Sequence, residues 1–259
     1  MTFTSAQLAA WIGAYLWPFC RIGAVLAAVP VIGARSIPVR VRLLFALSLT
    51  LVIAPVIPAV PTVDPLSPNG VLVTMQQVLI GGAMGFALHL IFSAFVHAGQ
   101  LVAMQMGLGF ASLVDPQNGV TVPVLSQFYV VVASLMFLAL DGHLVVIEVL
   151  VESFRTMPVS ATGLAVAGIW DLVSAASRMF AGALQIALPA LTALLLANIA
   201  FGVMARAAPQ LNIFSIGFPL TLILGFVALL LTIPSIFPHV SELLIDGFGL
   251  MRHVSGGGS

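Results

Sequence analysis

The chain has 259 residues, of which 61% are hydrophobic and 6% charged, with a mean hydropathy of +1.21. Soluble domains carry about 25% charged residues, so this surface cannot mostly face water and the class is a helical membrane protein. Net charge is zero, all 8 basic residues are Arg and none form a run, which removes the electrostatic basis for nucleic-acid binding.

Met1 to Ala10 contains no basic residue, so a cleaved signal peptide is not expected. Thr4 and Gln7 have capping-box spacing, which predicts a first helix from about Ser5 to Pro30 with Trp11 and Trp17 as interface anchors. Cys20 is the single cysteine and excludes an internal disulfide. Arg21 falls at membrane depth, where an Arg costs about 2.5–3.5 kcal/mol on insertion scales. It is expected to snorkel or to pair with a carboxylate of a neighbouring helix, a functional role on a path through the membrane being the sharper alternative.

Arg35, Arg40 and Arg42 surround Pro38 in the first connection. A second apolar run, Leu43 to Val60, carries Pro55 and Pro58, and Pro61, Asp64, Pro65, Pro68, Asn69 and Gly70 then predict an exposed loop. Val71 to Gly107 is a 37-residue run, well beyond the ~20 residues that span a hydrocarbon core. Within it Gly81, Gly82 and Gly85 form a small-residue patch with GxxxG spacing at Gly81 and Gly85, the kind of surface on which membrane helices pack closely. His89 and His97 lie about 80° apart on a helix and have no Cys or acidic cluster beside them, so a metal site is not expected.

Met104 to Gly119 is irregular yet apolar. Gly107 and Gly109 are poor helix residues, Pro116 cannot continue a helix, and Asn118-Gly119 is turn chemistry. Met104, Met106, Leu108, Phe110, Leu113 and Val114 nevertheless keep the stretch apolar, with Asp115 as its only charge. Lipid does not tolerate unpaired backbone groups, so such a segment must bury itself in protein or line and stop up a cavity.

Pro123 opens a run to Leu140, Asp141-Gly142-His143 breaks it, and Glu148 and Glu152 follow at helical spacing. A loop with Pro158, Ser160, Thr162 and Gly163 leads to Trp170-Asp171, an interface anchor and helix cap. Leu172 to Met204 is again overlong and is interrupted by Arg178, Pro189 and Asn198. Arg206 to Asn212 is a polar elbow containing Pro209 and Gln210. Ile213 to Phe237 is the last long run, bent by Pro219 and Pro234. Val240, Leu243, Leu244, Phe248 and Met251 then predict a short amphipathic C-terminal helix. The fold class is all-α, with six long kinked membrane-type helices. The tail from about 254 to 259 reads as an appended linker. Six strict crossings put Arg35, Arg40, Arg42 and Arg206 on one side and Arg155 and Arg252 on the other, with Arg178 near an end. That bias is too weak for the positive-inside rule to orient the chain.

No HExxH, GxSxG or GxxxxGK[ST] motif is present, and Gly107-Leu108-Gly109 lacks the third glycine and the strand of a dinucleotide site. Neither catalysis nor a cofactor is expected. Two rival classes remain: a small-solute or ion permease, which needs polar groups near the midplane of broken helices, and an intramembrane enzyme, which the missing motifs disfavour.

The stretch Leu194 to Pro219 carries Arg206-x-x-Pro209-Gln210-x-Asn212-x-Phe214 followed by Gly217-Phe218-Pro219. In these residues the chain resembles the FliR family of flagellar type III secretion export-gate proteins. Arg21 with Pro30 and Pro38, Gln105-x-Gly107-x-Gly109-Phe110-Ala111 with Asp115-Pro116, and Gly142-His143 extend the likeness to residues 3 to 253. The resemblance implies a single-copy, non-enzymatic subunit of a channel built with FliP and FliQ, alongside FlhB and FlhA, in the bacterial inner membrane at the flagellar basal body. Such gates are cones partly raised above the bilayer, and unfolded export substrates pass through them. Residues 1–160 would be FliP-like in their first four helices, and 161–253 FliQ-like in the last two. The loop matching about 106–122 would plug the lumen through Met106, Gly107, Leu108, Gly109, Phe110, Ala111, Ser112, Asp115 and Pro116. Arg21, Gly81, Gly82, Gly85, Arg206, Pro209, Gln210, Asn212 and Phe214 would serve structure and subunit contact.

Overall fold

The computed structural model describes residues 5–34, 36–108, 124–161, 163–164, 166–208 and 213–256. Among these the regular structure is entirely helical: α1 Ser5–Ala28, α2 Val39–Ile53, α3 Pro68–Gln105, α4 Val124–Ala139, α5 Gly142–Thr156, α6 Val166–Ala207 and α7 Ile213–Val254. Four of these are long and apolar enough to cross a membrane, or five if α4 and α5 count as one broken span.

Helix boundaries follow local chemistry. Before α3, the Asp64 carboxylate accepts from Leu66 N–H at 3.0 Å and Ser67 Oγ accepts from Gly70 N–H at 3.1 Å. Ser67 therefore caps one of the first free donors, and Pro68 opens the helix where its missing N–H is no loss. A Cβ at Gly70 would stand 2.3 Å from the Asp64 carbonyl oxygen, so only glycine fits this turn. Between α4 and α5 the axis bends by 67°. Asp141 takes a left-handed φ of 54° there, a conformation its short polar side chain tolerates.

The structure divides the chain differently from the six runs read in the sequence. α2 has 15 residues, about 22 Å at 1.5 Å per residue, which falls short of a ~30 Å hydrocarbon core. Residues 54–60, with Pro55 and Pro58, lie outside it. The expected C-terminal amphipathic helix is not a separate element, because α7 runs through Pro219, Pro234 and Pro238 to Val254. Val254 and Ser255, read as tail, are each 2% exposed and belong to the fold.

The chain forms two compact units. The first is drawn from Met1–Ile91, Phe137–Ser177 and Leu244–Ser259. Its core holds Trp17, Ile22, Leu26, Met84, Leu88, Phe137, Val146, Leu150, Phe154 and Met251. Trp17 Nε1 donates to Thr74 Oγ1 at 3.1 Å. At its edge Arg252 meets Glu148 at 3.7 Å and Glu152 at 3.8 Å, and Thr156 Oγ1 donates to the Ser255 carbonyl at 2.6 Å. The second unit is drawn from Phe92–Met136 and Arg178–Leu243. There Ser126 Oγ donates to the Val96 carbonyl at 2.9 Å, and His97 lies over Phe180 with ring centroids 5.4 Å apart.

Candidate functional site

Arg21 is wholly buried, and its partners are neither solvent nor a carboxylate among the described residues. Nε donates to Gln77 Oε1 at 2.8 Å, Nη1 donates to the Ser153 carbonyl at 2.8 Å and to its Oγ at 3.3 Å, and the guanidinium carbon sits 4.4 Å from the Phe154 ring centroid. This replaces the expected snorkel or carboxylate pair. The Ser153 carbonyl belongs to the last turn of α5 and also accepts from Met157 N–H at 3.0 Å, so the guanidinium shares an acceptor at the negative end of the helix dipole. A cation is thus stabilised by oriented dipoles and a π face without a full counter-charge. Arg21 ties α1, α3 and α5 together.

The glycine patch supports the same joint. A Cβ at Gly81 would stand 2.4 Å from the Arg21 carbonyl oxygen, and one at Gly85 would stand 2.6 Å from Ala28 Cβ. The structure puts α1 of the same chain against both residues. Gly82 has nothing within 4 Å of such a Cβ and packs on neither.

Met106, Gly107 and Leu108 are the described part of the 106–122 segment. Gly109, Phe110, Ala111, Ser112, Asp115 and Pro116 lie outside the described residues. Met106 is fully buried, Gly107 has φ +82°, and α3 ends at Gln105. Arg206 is exposed in the last turn of α6, where a cation complements the helix C-terminus. Pro209, Gln210 and Asn212 lie outside the described residues, as does the side chain of Phe214. Among the described residues no three His, Cys, Asp or Glu side chains group as metal ligands.

Sequence reasoning passed over Gln77, Ser153 and Phe154 around Arg21 and Gly225 beside the end of α3, and took Phe218 only as part of the Gly217-Phe218-Pro219 motif. Gln76-Gln77 inside a long apolar run was a usable signal, since polar side chains at membrane depth seek partners. Gly225, an isolated glycine in a helical pattern, was another.

The outer surface is the remaining element. Over an apolar 18-residue stretch of each helix, 22% of the residues are buried in α6 and 28% in α7, against 61% in α3. Val166, Trp170, Phe180, Leu196 and Val203 on α6, and Leu230, Leu231 and Ile245 on α7, are all exposed apolar side chains.

Residues 12–246 match the family described as bacterial export proteins, family 1. The flagellar biosynthetic protein FliR of Pectobacterium carotovorum subsp. carotovorum is 39% identical over 254 residues, covering 98% of this chain and 97% of that protein. FliR of Escherichia coli (strain K12) is 39% identical across 97% of this chain and 96% of its own length. FliR of Bacillus subtilis (strain 168) is 29% identical across 93% and 94%. With near-complete coverage in both directions, an all-helical fold and several apolar membrane-length helices, the chain belongs to the bacterial export proteins of family 1, among the flagellar biosynthetic FliR proteins.

Proposed function

We propose that this chain is a structural, channel-forming subunit of the flagellar export gate in the bacterial inner membrane, at the basal body. The observation that carries the reading is the exposed apolar length of α6 and α7. Each has 42 residues, about 63 Å at 1.5 Å per residue, while a hydrocarbon core is about 30 Å thick. Exposed apolar side chains on α6 extend from Val166 to Met204, about 57 Å of helix. A bilayer crossed upright covers about half of that length. The rest needs protein against it, because a contiguous apolar face of this size marks an interaction surface.

In this reading the cover is supplied by FliP and FliQ subunits, with FlhB and FlhA nearby, and unfolded export substrates pass through the shared channel. With the bent pair α4–α5 taken as one element, the described residues of 1–160 hold four helical elements, in keeping with a FliP-like portion. α6 and α7 form the FliQ-like portion over 161–253. The 106–122 segment acts as a plug whose apolar Met, Leu and Phe side chains seal without binding polar solutes. The chain supplies no catalytic group, and energy for export enters through other components.

Mass measurement on the intact detergent-extracted complex tests the assignment. One copy of this chain with several copies each of two partner types is the expected result. A stable, monodisperse complex of this chain alone would overturn it.

A further inference from the structure

Arg21 leaves part of its fork unused. A guanidinium carries five N–H donors, and those on Nε and Nη1 go to Gln77 and Ser153. Nη2 is buried without a hydrogen-bond partner in the protein, and so is Nε2 of Gln77. Both side chains are 0% exposed. The two free nitrogens flank a single hydrogen bond. Nη2 shares one edge of the fork with Nε, and Nε2 shares the carboxamide with Oε1, the atom that Nε holds at 2.8 Å. That bond also fixes which end of the Gln77 amide is free, since only its oxygen can accept from Arg21. The acceptors around the guanidinium are already engaged. The Ser153 carbonyl also takes the Met157 N–H at 3.0 Å, and Ser153 Oγ gives its own hydrogen to the Leu150 carbonyl at 2.7 Å. A full positive charge is therefore enclosed among neutral acceptors, with two donor groups beside it that lack an acceptor.

We propose that Arg21 and Gln77 hold a small monovalent anion of the size of chloride as the counter-ion of the buried guanidinium, and that this anion helps to join α1, α3 and α5. An unpaired buried donor is costly, and an enclosed charge more so unless it is paired and hydrogen-bonded. An anion answers both at once, through charge-assisted hydrogen bonds from Nη2 and a further one from Nε2. Water fits less well, because it brings two hydrogens of its own into a site whose free groups are both donors. A divalent oxyanion fits less well too, since one cation leaves half of its charge uncompensated. Arg21, Gln77 and Ser153 all belong to the first compact unit, and the site does not depend on the export-gate reading.

Halide counting tests it. The protein is extracted in detergent, with its partners, from cells grown with bromide in place of chloride. It is purified in bromide and brought to dialysis equilibrium, so that trapped and exchanging ions are both counted. The wild type is expected to hold bromide in excess of the dialysate, and halide should raise its thermal unfolding temperature relative to gluconate at equal ionic strength. Gln77→Glu puts a carboxylate in place of the amide and removes the free donor, so the chain then carries its own counter-charge. That variant is expected to stay folded, to lose one bromide per copy of this chain and to lose the halide dependence, which a merely structural glutamine would not give. Arg178→Gln removes an exposed positive charge elsewhere and should lose neither. No excess bromide in the wild type overturns the proposal and leaves the donors to water. An unchanged count in Gln77→Glu overturns it as well, as does an equal loss in Arg178→Gln, which would mean diffuse attraction. Should Gln77→Glu fail to fold, Arg21→Met with Gln77→Met removes cation and donor together. Its count should fall by one bromide per copy, and an unchanged count overturns the proposal.

Discussion

Arg21 shows how one buried cation is accommodated without a carboxylate. Hydrogen bonds to charged groups contribute about 1.5–3 kcal/mol each, and Arg21 makes them to Gln77 and Ser153 from two sides of a planar fork. Lysine keeps the charge and loses the fork. Arg21→Lys is therefore expected to lower stability by about 1.5–3 kcal/mol, seen as earlier thermal unfolding and poorer recovery in detergent. Arg21→Met paired with Gln77→Met removes the cation and the Gln77 acceptor together and should recover much of the loss, since apolar replacement of buried polar partners is often neutral. If Arg21→Lys behaves as wild type while Arg21→Met does not, the charge matters and the geometry does not. Arg206 is the contrasting case, exposed at the end of α6. In the proposed gate it belongs to a contact between subunits, and Arg206→Ala is expected to lower the yield of intact complex while leaving the membrane level of this chain unchanged. Equal yields from mutant and wild type would make it an ordinary solvated charge.

At the scale of elements, the α1–α3 joint depends on close backbone approach. Gly85 has Ala28 Cβ and the Val25 carbonyl within 3.0 Å of a built Cβ, whereas Gly82 has open space. Overpacking a well-filled joint costs about 1–3 kcal/mol. Gly85→Leu should therefore impair folding and assembly, with membrane insertion retained, and Gly82→Leu should be tolerated on the α1 side. Thermal stability and complex recovery compared between the two variants check this. A normal complex from Gly85→Leu would exclude the close approach seen between α1 and α3.

For the whole molecule, the contrast in burial between α3 and the α6 and α7 helices predicts a gradient of local stability. Helices with few buried contacts open more readily, and an apolar 18-residue stretch of α6, 22% buried, has less internal support than the corresponding stretch of α3, 61% buried. Hydrogen exchange of the chain in detergent, without partners, should be faster along α6 and α7 than in the middle of α3. In the assembled gate that difference should shrink, because partner helices cover the same faces. Uniform exchange in both preparations would contradict the proposal that protein covers these faces.

Composition alone settled that this is a helical membrane protein, because 6% charged residues cannot clothe a soluble surface. Apolar run length located the long helices, and the residues from Arg206 to Pro219 carried the family resemblance. Proline was a poorer guide: Pro55 lies just beyond the end of α2, whereas Pro219, Pro234 and Pro238 are all contained in α7. The missing N–H and ring clash are local penalties that longer-range packing can override. What only the tertiary structure decided is which residues meet: Arg21 with Gln77 and Ser153, Gly85 with Ala28, and Met106 with Gly225. Helical periodicity assigns a side chain to a face of its own helix. It carries no information about the distant face that fits against it, which depends on shape and on hydrogen bonds formed only when the helices pack.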